Sequence, residues 1–251
     1  MNAVTIIPAR MGSSRLPGKP LKEIEEIPMI EHVYRRSELS EVTDETYVAT
    51  PDAEIRDEVE RFGGKAIMTG EHTRPQERVA EASKSIDTDV VINVHGDEPL
   101  VHPDLITNSV TKLTSQDESV ACCHVGTEIQ NEDDFIDQNN VKIALGKNND
   151  IIYYSRNPIP KTYDADFEDI SAYKQVGVTA YQKSSLTSVV ELEQTPLERA
   201  EAIFYLRLLE NDYSIKFEET HRDIYTVDTK EDLHRVNEMM KTDRLYKQLF
   251  E

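Results

Sequence analysis

The sequence predicts an α/β protein: a mostly parallel central sheet flanked by helices, with a small antiparallel insertion in its second half. Three observations carry this expectation. Short β-branched apolar runs alternate with amphipathic stretches, the pattern of successive βαβ units. A basic loop containing two glycines follows the first apolar run directly, at the place where an open parallel sheet sets its ligand crevice. Past residue 125 the texture changes, and two apolar runs flank Gly146-Lys147-Asn148-Asn149-Asp150, a hairpin signal.

Taken in order, strands are expected over residues 4–7, 45–49, 65–68 and 90–94, and helices over 29–37, 53–61 and 76–83. Gly63-Gly64 closes the second helix, because a glycine enters the left-handed conformation of a helix C-cap without steric cost. A helix over 104–113 and a strand over 120–125 come next. In the second half, 141–145 and 151–155 form the hairpin, 176–181 and 214–217 read as strands, and 197–209 and 230–240 as helices. Residues 161–173 are acidic and aromatic without periodicity, and are read as an excursion from the main body or a dimerisation arm. The whole, residues 1–251, is expected to form one domain, with the insertion at about 126–182.

Composition excludes several classes of function. A formal net charge of -20 is incompatible with a surface built for nucleic-acid phosphates. No run approaches the ~18 apolar residues of a membrane span. The N-terminal Met1-Asn2-Ala3-Val4-Thr5 leads straight into a strand and lacks the basic and apolar regions of a signal peptide, so a cytoplasmic protein is expected. Cys122 and Cys123 are adjacent in a predicted strand and point to opposite faces, which argues against a disulfide between them.

Against that acidity, basic clusters stand out. The loop from Pro8 and Ala9 to Pro20 carries Arg10, Arg15 and Lys19, the glycines Gly12 and Gly18, and the hydroxyls of Ser13 and Ser14. Backbone N–H groups and cations in such a loop neutralise the oxygens of a triphosphate. The spacing is not that of a Walker A loop, and Lys19 precedes Pro20 rather than a magnesium-binding hydroxyl. Carboxylates must then come from elsewhere. Asp97 and Glu98 follow Gly96 at the end of the strand 90–94, a position from which hard oxygen ligands can hold Mg2+. Asp228 follows the β-type run 224–227; as a residue it is either a second such carboxylate or the N-cap of the helix 230–240.

The segments PARMGSSRLPGKPL, VINVHGDEPL, NNVKIALGKNNDIIYYSRNPIP, TPLERAE and YTVDTKEDL, in this order, resemble the CMP-KDO synthetases. These are the 3-deoxy-manno-octulosonate cytidylyltransferases, relatives of the CMP-sialate synthetases. The resemblance implies a GT-A-like nucleotidyltransferase fold and a homodimer, with CTP and an acidic sugar as the partners. The anomeric hydroxyl of the 2-keto sugar acid KDO would attack the α-phosphorus of CTP and pyrophosphate would leave. It implies a triphosphate loop of Arg10, Gly12, Ser13, Ser14, Arg15 and Lys19, and Mg2+ on Asp97 and Asp228. It also implies that Pro8, Ala9, Arg74 and Gln76 lie near the nucleotide. Arg78 and Arg156 would meet the sugar acid, where a guanidinium clamps a carboxylate through paired hydrogen bonds.

The acceptor half departs from the family pattern. His95 stands where family members have Gln, and Gln175 and Thr179 replace a His and a Tyr. Arg74-Pro75-Gln76 replaces Ser-Gly-Thr, and Phe204-Tyr205 replaces a polar Glu-Gln pair after the Glu198 helix start. His95, Gln175, Thr179, Glu198, Phe204 and Tyr205 are expected at the acceptor; either the changes compensate one another and KDO is kept, or they reshape the pocket for another ulosonic acid or a small phosphonate. A sugar-1-phosphate nucleotidyltransferase would not need the late motifs, and a non-catalytic nucleotide-binding module would not need Lys19, Asp97 and Asp228.

Overall fold

The first apolar run forms β1 (Ala3–Pro8), and Val4, Ile6 and Ile7 within it are buried. A strand covered on both faces reads as a continuous apolar run rather than an alternating one. In this computed structural model, residues 1–13, 15–161, 163–164 and 166–250 are described. They fold as two compact units, one of Met1–Thr107 with Asp223–Glu251, the other of Asn108–Arg222.

In the first unit β1 is followed by a two-stranded ribbon, β2 (Glu23–Ile24) and β3 (Ile27–Pro28), then α1 (Met29–Glu38) and β4 (Glu45–Thr50). Helix α2 (Ala53–Arg61) ends where expected, with Gly63 in the left-handed region at φ 84. Strand β5 (Ala66–Met68), α3 (Pro75–Ser83) and β6 (Val90–Val94) complete its sheet, and α4 (Pro103–Thr114) carries the chain across the boundary. β1 is central: it pairs in parallel with β4 on one side and β6 on the other, and β5 extends the β4 side. The connections therefore run in opposite directions from β1, and the carboxyl ends of β1 and β6 lie side by side. This is the switch point at which open parallel sheets bind ligands.

The second unit is built on β7 (Val120–Glu128), followed by the short α5 (Glu132–Ile136) and the predicted hairpin, β8 (Lys142–Leu145) with β9 (Ile151–Ser155). Strand β10 (Tyr173–Gln182) runs antiparallel to β7 and β8, then come α6 (Lys183–Val190), α7 (Pro196–Glu201), α8 (Tyr205–Glu210) and β11 (Ser214–Thr220), parallel to β7. The expected insertion, 126–182, lies within this unit. One predicted helix, 197–209, is two: Ala202 at φ 57 breaks it between α7 and α8. The segment 161–173 does not leave the unit along its whole length. Tyr163 is exposed, but Phe167 and Ile170 pack against Ile129, Phe135 and Ala172, because burying two large apolar side chains outweighs the acidic character of their neighbours.

The chain then returns to the first unit as α9 (Lys230–Met240) and α10 (Arg244–Phe250). Leu16, Ile24, Met29, Val227, Val236 and Met240 form one buried cluster there. It joins the loop after β1 to the segment before α9, two stretches more than two hundred residues apart.

Candidate active site

A cavity of about 450 Å³ opens in the first unit beside the loop after β1. The loop is pinned at several points. Ala9 N–H donates to Ala49 O at 2.9 Å and Met11 N–H to the Asp52 carboxylate at 2.8 Å. Gly18, at φ 68, donates back to Met11 O at 3.2 Å. Leu16 anchors the loop in the apolar cluster, while Arg10 and Arg15 remain exposed.

Asp97 and Asp228 converge on one cation. Lys19 Nζ donates to Asp97 Oδ2 at 2.8 Å and to Asp228 Oδ1 at 3.0 Å, and Arg15 Nη2 lies 3.1 Å from Asp228 Oδ2. Backbone geometry brings the two aspartates together: Val227 N–H donates to Asp97 O at 2.9 Å, and buried Val227 fixes the residue before Asp228. The alternative role of Asp228 as N-cap is corrected by the structure. Thr229 is the N-cap of α9; its hydroxyl accepts from Asp232 N–H in a capping box, which leaves the Asp228 carboxylate to the cavity.

Electrostatics follow from this arrangement. Burial opposes ionisation of Asp97, but the ammonium of Lys19 and the ring of His95 outweigh it and hold the carboxyl below its usual range. Burial likewise opposes the charge on Lys19, and the two aspartates more than restore it, so its pKa is raised. Burial pushes His95 down, partly opposed by Asp97 and reinforced by Lys19.

The two carboxylates fit a magnesium ion in donor type. Asp97 Oδ1 is buried and, among the described residues, without a hydrogen-bond partner. Among the described residues no group of three or more His, Cys, Asp or Glu side chains could hold a metal. Two protein carboxylates plus phosphate oxygens and water are the usual complement of Mg2+, which seldom occupies an all-protein cage.

Gly96 separates β6 from Asp97, and its place explains its identity. A Cβ there would lie 3.2 Å from Pro8 O and 3.4 Å from Ile7 Cγ2 on the neighbouring β1. Gly96→Ala is expected to cost about 1–3 kcal/mol of stability, the usual penalty for overpacking. Urea unfolding checks this, and an unchanged midpoint would mean that β1 and β6 separate freely at this point.

Of the predicted nucleotide-side residues, Pro8, Ala9, Arg10, Gly12, Ser13, Arg15, Lys19 and Arg74 line the cavity with both aspartates, and so does Arg78, which was expected at the acid. Ser14 lies outside the described residues. Gln76 is buried on α3 and does not line the cavity. Arg78 is buried too, with Nη1 donating to Thr69 Oγ1 at 2.6 Å and Gly70 O at 3.1 Å. His72 and Thr73, in the 70–76 stretch that the resemblance sets near the nucleotide, line the cavity as well. His72 pairs with Glu81, whose carboxylate also accepts from Gly70 N–H, so one acid holds both ends of that short loop. The i, i+9 spacing of His72 and Glu81 leaves no periodic trace in the sequence.

The other predicted acceptor residues divide between the units. His95, half-buried in the first unit, has an unpartnered Nε2. In the second unit Thr179 Oγ1 and Tyr205 OH hydrogen-bond to each other at 2.8 Å, and the Tyr205 ring packs 4.2 Å from His124 and 5.1 Å from Tyr154. Two of the departures from the family pattern are thus partners. Phe204 is buried beneath the Arg207 guanidinium, 5.1 Å from its ring centroid. Gln175 is half-buried with Oε1 unpartnered. Glu198 is fully buried, and Arg207 binds both of its oxygens, at 2.7 and 2.9 Å. The structure gives it an internal ion pair in place of an open acceptor-binding face. Arg156 is half-buried and held by the second unit's own backbone.

A parallel sheet with a basic loop and paired carboxylates at its switch point is the scaffold of a nucleotidyltransferase. The chain belongs to the cytidylyltransferase family, whose model matches residues 4–225. The 3-deoxy-manno-octulosonate cytidylyltransferase of Thermodesulfovibrio yellowstonii is 37% identical to it, over 96% of this chain and 99% of that one. The 8-amino-3,8-dideoxy-manno-octulosonate cytidylyltransferase of Shewanella pealeana is 39% identical, over 93% of this chain and 96% of that one. A solved CMP:2-keto-3-deoxy-manno-octonic acid synthetase complexed with CTP superposes with a TM-score of 0.89 at 34% identity, covering 96% of this chain and 99% of that one. These similarities bear out the resemblance drawn from the motifs. Among the described residues no helix is long and apolar enough to cross a membrane.

Proposed function

We propose that this chain transfers CMP from CTP to the 2-keto sugar acid KDO, releasing pyrophosphate, as a magnesium-dependent, cytoplasmic homodimer. The observation that carries the reading is the Lys19 ammonium between Asp97 and Asp228, at a cavity walled by the loop after β1. A triphosphate and an acid repel each other, so the site must cancel negative charge before the acceptor hydroxyl can approach phosphorus. Arg10, Arg15 and Lys19 do this on the nucleotide side, with the backbone of Gly12 and Ser13 offering further donors. Arg78 and Arg156 offer guanidinium groups to the acid. Asp97 and Asp228 would hold Mg2+, which when bound neutralises phosphate oxygens and lowers the pKa of a coordinated hydroxyl. No side chain of the loop is a general base, and positioning for in-line attack supplies the rest.

The Thr179–Tyr205 hydrogen bond supports KDO as the acid. Two of the replaced residues hydrogen-bond to each other, so at these two positions the change is compensated rather than turned against the family's usual substrate. Pyrophosphate release should be measured with CTP, UTP, GTP and ATP against KDO, its 8-amino analogue, other ulosonic acids and small phosphonates. CTP with KDO is expected to turn over most efficiently. A clear preference for a phosphonate or another ulosonic acid would replace the acceptor, and efficient turnover of a neutral sugar would overturn the reading.

Lys19→Ala is expected to raise KM for CTP by roughly 10- to 100-fold, the equivalent of about 1.5–3 kcal/mol for a charged hydrogen bond. KM for the acid should move little. Steady-state kinetics with each substrate varied in turn tests this, and an unchanged CTP dependence would remove Lys19 from triphosphate binding.

A further inference from the structure

Lys142 is completely buried on β8 and, among the described residues, faces no carboxylate at hydrogen-bond distance. Its three ammonium donors go to three backbone carbonyls: Asp137 O at 2.7 Å, Asn140 O at 2.7 Å and Arg156 O at 2.6 Å. A buried charge held only by neutral dipoles is expensive, and burial does lower its pKa, against the partial support of Asp137. An apolar residue at this position of a sheet would serve the core better, so the charge calls for a reason.

Arg156 supplies one. Each polar group of its backbone is taken by a charged side chain. Its carbonyl accepts from Lys142, and its N–H donates to Glu201 Oε2 at 2.8 Å. The other Glu201 oxygen accepts from Ser155 Oγ, also at 2.8 Å. The guanidinium is tethered by two further bonds, Nε to Glu201 O at 2.9 Å and Nη1 to Gln138 O at 3.0 Å. Gln138 sits in the 137–140 loop that Lys142 gathers in. Glu201 O is presented by the break between α7 and α8, where Ala202 takes the left-handed conformation at φ 57. Two charged residues thus hold the backbone of Arg156, while its side chain rests on the carbonyl of Glu201 and on a loop that Lys142 binds on either side of Gln138. Among the described residues Nη2 is left with no hydrogen-bond partner, on a half-buried side chain.

We infer that Lys142 and Glu201 are positioning residues for Arg156, aiming its Nη2 at the carboxylate of the acidic substrate. This rests on the proposed role of Arg156 in acid binding. The N–H donors of Nη2 lie in the guanidinium plane, so that plane must be set before the substrate carboxylate arrives. Misplacement of about 1 Å can cost as much as 100-fold.

Lys142→Met, Glu201→Gln and Arg156→Ala should be assayed singly and as the doubles with Arg156→Ala, with KDO and CTP varied in turn. The expected result is that Lys142→Met and Glu201→Gln each raise KM for KDO by about tenfold or more with KM for CTP unchanged. Neither should add to the effect of Arg156→Ala, because both act through that guanidinium. Glu201→Gln keeps the side chain's shape and one acceptor oxygen, so it carries the test if Lys142→Met does not fold. If Arg156→Ala raises KM for KDO but Glu201→Gln does not, or if the effects add, the positioning role is overturned while the acid-binding role stands. If Arg156→Ala itself leaves KM for KDO unchanged, the acid-binding role falls and the inference with it.

Discussion

Asp97→Asn is expected to lower kcat by on the order of 10²–10³-fold or more, with Asp228→Asn close behind, while both variants fold normally. The carboxylate of Asp97 sits with one oxygen on Lys19 and the other buried without a partner. An amide of the same shape keeps the packing but loses the charge and one of the two carboxylates proposed to hold Mg2+. Lys19 retains Asp228 at 3.0 Å, so the ammonium is not stranded and the loop keeps its anchor. Arg15 likewise loses a partner only in the Asp228 variant. The measurement is kcat across a magnesium titration, with thermal unfolding alongside. Near-normal turnover at limiting magnesium in either variant would show that the pair is not the metal site.

The second large effect is on stability. Glu198→Ala or Arg207→Ala should each destabilise the protein by about 3–5 kcal/mol, because each strands the opposite charge in the interior. Glu198 is 0% exposed and Arg207 3%, with two short hydrogen bonds between them. Replacing both with apolar residues of similar volume should cost far less than either single change, since the desolvation of both charges is then relieved. Urea unfolding of the two single variants and the double gives the coupling. If Glu198→Ala left the unfolding midpoint alone and raised KM for the acid, the carboxylate would belong to the acceptor site after all.

The parts legible in the sequence were those whose signal is local. β1 and β6 are unbroken apolar runs, α2 ends at a glycine, and the loop from Pro8 to Pro20 concentrates cations in a chain of net charge -20. Alternation of such runs with amphipathic helices is enough to specify a parallel α/β sheet, and a functional loop at the end of its first strand follows from topology. Elements that depend on distant partners left a weaker trace. The β2–β3 ribbon turns through Glu25 and Glu26, both at positive φ, without the Asn-Gly that usually marks such a turn. Asn237 of α9 holds it, accepting from Glu25 N–H at 2.8 Å and donating to its carboxylate at 2.9 Å. The break at Ala202 is invisible in a helix-forming stretch because it is fixed by Glu201, whose backbone and side chain both engage Arg156 and its neighbour.

By itself, then, the amino-acid sequence determined the fold class, the family and the identity of the cations and carboxylates that can meet a nucleotide. Those are properties of local pattern and of residue type. Only the tertiary structure decided between roles that the same residue type can play. Asp228 and Thr229 are both good helix caps, and the choice fell to Thr229 because Val227 is drawn to Asp97 by a backbone hydrogen bond, turning the aspartate toward Lys19. Glu198 and Asp97 are both acids beside basic residues. One is sealed in an ion pair with Arg207, and the other keeps a side chain 26% exposed at the cavity. Burial and the direction of a carboxylate depend on which distant segments pack around it, and that information exists only once the chain has folded.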